Sequence, residues 1–189
     1  MRYVFGGIGI LFGLLFVFML LTVGLVSAAN KPKGDHEKVL PGKGETSKKA
    51  IIIYQPALTK FTTKVARQLA AGLNEGGYEV TLNHPGKHLS RDLSGFNLII
   101  FGSPTYAGQL TKALTNYMAQ VCPQLVKITG ETPRIAIFAT GSVDQTEEFD
   151  RLAETLRGLN VVKKVKFVAG PEEENIKMAY DLGIELAKE

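Results

Sequence analysis

The sequence predicts an α/β fold, a doubly wound five-stranded parallel sheet preceded by a single transmembrane helix. Three observations predict it. Beyond residue 47, short β-branched or apolar runs alternate with helical patterns, as in βαβ units. The run Leu98-Ile99-Ile100-Phe101 is apolar without alternation, as expected of a strand covered on both faces. Tyr3 to Val26 carries no charged residue and is dominated by Leu, Phe, Val, Ile and Gly.

As a helix, residues 3–26 would span about 36 Å, enough to cross a hydrocarbon core of about 30 Å. A secretory signal peptide usually has an apolar region of only about 7–15 residues, so the length favours a retained anchor over residues 1–29. Ser27-Ala28-Ala29 resembles a cleavage site, and secretion after cleavage near Ala29 is the alternative. Arg2 precedes the span, whereas Lys31, Lys33, Lys38, Lys43, Lys48 and Lys49 follow it. This excess of positive charge predicts a single-pass N-terminal anchor with the soluble part on the cytoplasmic side. The lipid bilayer is thus the first expected partner, through residues 3–26, and the lysines would suit anionic headgroups. Residues 30–47 read as a flexible linker: Lys31-Pro32-Lys33-Gly34-Asp35 and Pro41-Gly42-Lys43-Gly44 hold breakers and charge without apolar periodicity.

Residues 48–189 form the predicted domain. Ala50-Ile51-Ile52-Ile53-Tyr54 reads as a strand, and Phe61, Val65, Leu69 and Leu73 mark a helix that ends at Gly76-Gly77. Tyr78 to Leu82 is a second strand, and Leu89, Leu93 and Phe96 mark a short helical turn. The central strand then ends in Gly102 to Gly108, read as a loop, before a helix with Leu110, Leu114, Tyr117, Met118 and Val121 on one face. Arg134 to Ala139 is the fourth strand, followed by a helix carrying Phe149, Leu152, Leu156 and Leu159. Val161 to Ala169 is the fifth; Lys163, Lys164 and Lys166 mark it as an edge guarded by charge. Glu172, Glu173 and Glu174 open the last helix, where the macrodipole favours negative charge.

Several classes of function are excluded. The net charge of +4 is scattered, with no basic helix or basic-aromatic stripe, which argues against nucleic acid. A single cysteine, Cys122, rules out an intramolecular disulfide and a cysteine-cluster metal site; it reads as a small buried hydrophobe. His84 and His88 are four apart, but Pro85 and Gly86 intervene, so both are expected in a solvated turn rather than on a metal. Asp150 and Glu154 read as a solvated helix face. Neither a phosphate-binding G-x-x-x-x-G-K-[ST] nor a dinucleotide G-x-G-x-x-G is present.

Three loops leave carboxyl ends of predicted strands, where open α/β sheets bind ligands. The first, Gln55 to Lys60, runs into a helix start. Its amides, with Thr59 and Thr62 hydroxyls and Lys60, would suit a phosphate; equally, Thr59 would serve as an ordinary N-cap. The second offers Tyr106 beside Pro104 and two glycines, as a stacking face or as a surface tyrosine in a plain turn. The third, Thr140 to Asp144, supplies Gly141, hydroxyls and a carboxylate.

Together these loops resemble those of the flavodoxin family, which bind FMN over a 2-1-3-4-5 parallel sheet. Ala57-Leu58-Thr59-Lys60-Phe61-Thr62 is similar to the family's S/T-x-T-G-x-T phosphate loop, with Ala57 and Lys60 where the family has a hydroxyl residue and glycine. Gly102-Ser103-Pro104-Thr105-Tyr106-Ala107-Gly108 is similar to G-S-P-x-Y-x-G. The resemblance implies FMN as cofactor. It would be held by Ala57, Thr59, Lys60, Phe61 and Thr62, then by Ser103, Pro104, Thr105, Tyr106, Ala107 and Gly108, and by Thr140, Gly141, Ser142 and Asp144. It implies electron transfer with a redox partner protein or quinone at the membrane. A flavin-dependent, quinone-type reductase and a flavin-free binding module tethered to the membrane are the alternatives. Residues 48–189 carry 17 basic and 15 acidic side chains, whereas electron-transfer flavodoxins are typically strongly acidic.

Overall fold

Successive side chains of a strand face opposite ways, so a parallel strand inside a sheet must feed two cores. The computed structural model, which describes residues 2–43, 48–128 and 132–188, is layered accordingly. Ile52 and Tyr54 of β2 (Lys49–Tyr54) and Leu98 and Ile100 of β4 (Leu98–Tyr106) share a core with α2 (Phe61–Glu75) and α5 (Glu172–Lys188). Ile51, Ile53, Ile99 and Phe101 share the other with α3 (Lys112–Leu125) and with Phe149, Leu152 and Leu156. β3 (Glu79–Asn83), β6 (Arg134–Gly141) and β7 (Asn160–Val168) complete a parallel sheet in the order β3-β2-β4-β6-β7. In chain order those five strands run 2-1-3-4-5, as expected. β7 lies at the edge, as its lysines imply.

α2 and α5 meet at two glycines. A Cβ on Gly72 would lie 2.1 Å from the Tyr180 carbonyl oxygen, and one on Gly183 would lie 2.4 Å from that of Leu69. The missing side chains let the two backbones approach to contact.

The chain divides into two compact units, Met1–Lys31 and Pro32–Glu189. In the first, α1 (Arg2–Asn30) runs for 29 residues. Its segment Gly13–Asn30 has a mean hydropathy of 2.0, so by length and composition it could cross a membrane as an anchor or serve as a signal sequence.

Four local readings differ from the structure. Within the stretch read as a flexible linker, Lys38–Leu40 forms β1, which pairs antiparallel with the outer edge of β3 from Lys38↔Leu82 to Leu40↔Val80. Residues 44–47 of that stretch lie outside the described residues. Residues 89–96 form turns and bends rather than a helical turn, although Leu93 is buried as its apolar character requires. The helix expected around Phe149 to Leu159 is only four residues long, α4 (Glu147–Asp150). Beyond it the backbone closes mainly i→i−3 turns, such as Ala153 N–H to Asp150 and Arg157 N–H to Glu154. The segment expected as a loop from Gly102 is strand as far as Tyr106.

His84 is not solvated either. It is 9% exposed, stacks on His36 at 5.1 Å and meets the edge of Tyr54 at 5.0 Å. Asn83 fixes the approach: its Oδ1 accepts the His36 backbone N–H at 3.1 Å, and its Nδ2 donates to Asp35 Oδ1 at 2.9 Å. His88 Nε2 lies 3.9 Å from the same Asp35 oxygen. Residues 34–40 are thereby strapped to the carboxyl end of β3.

Burial, followed by the charges of His36, His88 and Lys33, pushes the His84 imidazole below its ordinary value of 6.5, against an opposing hydrogen bond with the Gly34 backbone. Docking therefore favours neutral His84. The contribution is complete above pH 6.5 and is lost as pH falls from there through the lowered folded value. Hydrogen-exchange protection of the Lys38–Leu40 amides should fall as pH drops below 6.5 while that of β4 holds. Equal protection of β1 at pH 7.5 and pH 5 would remove His84 from the strap.

Candidate functional site

The first expected loop delivers an open helix start. Lys60 occupies the N-cap position of α2, and no side chain caps the helix there. Thr59 Oγ1 lies 3.5 Å from the Phe61 N–H, the outer limit of a hydrogen bond. First-turn amides without a capping side chain can receive an anion, and the helix dipole favours one. Thr59 and Lys60 are exposed, and Ala57 and Phe61 are half-buried. Thr62 is fully buried, and its hydroxyl is hydrogen-bonded to that of Thr140 at 2.6 Å. The structure thus brings together residues of the first and third expected groups, but it uses these two hydroxyls to join α2 to the end of β6.

The second stretch is a hairpin. Ala107 (φ 49°) and Gly108 (φ 67°) both adopt left-handed backbone, and β5 (Gln109–Leu110) returns to pair with Thr105 and Tyr106. Two such residues in succession suit the tight turns of β-hairpins. Ser103 is fully buried; its hydroxyl accepts the Thr111 N–H at 3.0 Å and bonds the Thr111 hydroxyl at 2.9 Å, fixing the start of α3. Pro104 is buried as well, Thr105, Tyr106 and Gly108 are half-buried, and Ala107 is exposed. The Tyr106 hydroxyl accepts the Leu58 N–H at 3.3 Å, which closes the first loop against the second.

In the third, Thr140 and Gly141 finish β6, with Thr140 buried and Gly141 half-buried, while Ser142 and Asp144 are exposed. Glu148 forms a buried ion pair with Lys166 of β7, whose ammonium also donates to Thr105 Oγ1 at 2.9 Å.

The carboxyl edge also carries residues outside the expected set. Leu58 and Val143 are each 53% exposed, large apolar side chains on two of the three loops. Their apolar character inside polar loops was a usable signal. Lys166 and Glu148 gave none, since each reads locally as a surface residue. Cys122 is fully buried on α3, and desolvation pushes its thiol up to about 12, so it stays protonated and inert at neutral pH.

A sheet in the order β3-β2-β4-β6-β7, with α2 and α5 on one face and α3 on the other, defines the flavodoxin fold. Among solved structures the chain is similar to the Flv1 flavodiiron core from Synechocystis sp. PCC6803, with a TM-score of 0.62 and 18% identity over 76% of this chain and 36% of that one. It is similar to two-electron reduced Megasphaera elsdenii flavodoxin, with a TM-score of 0.61 and 19% identity over 74% and 99% of the two chains. Oxidised Flavodoxin 2 from Bacillus cereus gives a TM-score of 0.57 and 22% identity over 74% and 98%. The chain therefore spans about a third of the flavodiiron core and nearly the whole of these flavodoxins. No protein-family model and no curated protein matches the sequence.

Proposed function

We propose that the chain is a membrane-anchored, flavodoxin-like FMN-binding protein that carries electrons to or from a redox partner protein or quinone at the membrane. One observation carries the reading: the start of α2 has no side-chain cap and lies on the loop that Tyr106 closes. The residues present fit the group. The first-turn amides and exposed Lys60 would hold its phosphate, while Tyr106, Leu58 and Val143 offer flat or apolar surface to its ring. The backbone of Thr105 to Gly108, with Gly141, Ser142 and Asp144, supplies hydrogen-bonding groups around it.

FMN, when bound, supplies the reversible uptake of one or two electrons. The chain's part is to orient the ring, exclude water from one side and set the local charge. Helix α1, retained as an anchor, would raise the effective concentration of a partner in or on the bilayer. A flavin-free binding module is the second reading, favoured by the Thr62–Thr140 bond that occupies two of the expected hydroxyls.

The deciding experiment is a visible spectrum of the full chain in detergent, followed by titration into FMN. A yellow protein, or saturable quenching of FMN fluorescence, is expected. A colourless chain that leaves the fluorescence unchanged would exclude the electron-carrier reading. Nicotinamide-driven turnover of quinone by the loaded protein would mark it as a reductase.

A further inference from the structure

We propose that the buried Lys166 ammonium and Glu148 carboxylate balance each other beneath the second and third loops, so that the reduction potential of the flavin rests on that balance and moves when either charge alone is lost. This rests on the FMN reading above. Lys166 belongs to edge strand β7, where a lysine ordinarily points to water, as Lys163 does when it pairs with Glu185 at the surface. Lys166 turns inward instead, across the end of β6. The missing side chain of Gly141 leaves the passage: a Cβ there would lie 3.1 Å from both Cε and Nζ of Lys166.

The ammonium ends on the Glu148 carboxylate and on Thr105 Oγ1, and the Thr105 hydroxyl donates to Glu148 Oε1 at 3.1 Å. The two charged side chains are 3% and 1% exposed, and Glu148 Oε2 is buried without a hydrogen-bond partner among the described residues. Such a pair is a poor way to stabilise a fold, because desolvation consumes much of the attraction. It is an effective way to hold fixed charge, because charges removed from water are weakly screened. Thr105, hydrogen-bonded to both charged groups, lies in the hairpin expected to contact the ring.

Reduction adds negative charge to a flavin unless protons follow. An ammonium nearby favours the reduced form and a carboxylate disfavours it. Paired, the two largely cancel; a survivor that keeps its charge is left uncompensated, so the two single variants then act in opposite directions.

The test compares the full-length chain in detergent with Lys166→Met, Glu148→Gln and the double variant. It measures dissociation constants for oxidised FMN and for FMN kept reduced by dithionite. Their ratio reports the shift in potential by linkage. Lys166→Met should weaken reduced FMN relative to oxidised about tenfold, and Glu148→Gln should strengthen it about tenfold, the scale of one uncompensated charge across a protein interior. The double variant should return close to the original ratio. Should Lys166→Met fail to fold, the step from Glu148→Gln to the double variant isolates the same lysine charge.

Equal ratios in all four proteins, or single variants shifting the same way, would overturn the tuning role and leave FMN binding standing. An original chain that leaves FMN fluorescence unchanged would overturn the flavin reading, and the tuning role with it.

Discussion

Gly183→Val should cost about 3 kcal/mol of folding stability, at the upper end of the range for overpacking a core. Most large insertions into a core push on side chains that can rotate away. Here a Cβ on Gly183 meets the Leu69 carbonyl oxygen at 2.4 Å and the Leu73 nitrogen at 2.8 Å, both backbone atoms of α2. Helix α2 cannot yield without disturbing Val65, Leu69 and Leu73, which it buries against the sheet. Gly72→Val presses on Tyr180 of α5 from the other side and should behave alike. Gly95 has nothing within 4 Å of its Cβ direction, so Gly95→Ala should stay within about 0.5 kcal/mol. Urea midpoints of residues 32–189, which contain both core clusters, provide the comparison. A Gly183→Val midpoint equal to that of Gly95→Ala would show that the helices do not meet at these glycines.

Tyr106→Ala should weaken FMN binding by about 1–3 kcal/mol, roughly tenfold to a hundredfold, if the ring stacks on this side chain as flat heteroaromatic rings stack on aromatic residues. Tyr106→Phe separates the ring from the hydroxyl. That hydroxyl holds the Leu58 N–H at a long 3.3 Å, so its loss should cost no more than about 1 kcal/mol. Fluorescence titration of both variants decides the matter. Alanine binding as well as tyrosine would move the flavin away from the hairpin, and phenylalanine binding as poorly as alanine would transfer the role to the first loop.

The five-strand sheet was legible because its three inner strands carry continuous apolar runs, as two-sided burial requires, while the outer two alternate or carry charge. Its order came from the resemblance of the loops, since spacing alone does not rank strands. Gly102 and Pro104 read as breakers, yet β4 accommodates both near its end: Gly102 leaves room for the Phe138 ring, and Pro104 is buried opposite Thr140. The pattern Phe149, Leu152, Leu156 correctly named a buried side and overstated the helix, because tight i→i−3 turns bury much the same side. β1 was illegible: three residues carry no period, and their partner strand lies about forty residues later. His84 was misjudged for the same reason, its cover being His36. Locally, Thr62 and Ser103 look like ligand hydroxyls, and only the tertiary structure shows Thr140 and Thr111 already bonded to them.

The short β1 has a further consequence at the rim of the sheet. An open strand edge is a template on which copies of a chain can add one after another, and attachment to a bilayer would crowd copies together in two dimensions. With β1 in place, β3 offers no free row of amides, and three residues make a poor template for growth. The opposite rim is β7, where the charge of exposed Lys164 repels a like strand. Acid that loosens the histidine strap would uncover β3. A chain well dispersed at neutral pH would then begin to form fibrils or clusters, and its resistance to self-assembly would depend on a segment outside the parallel core.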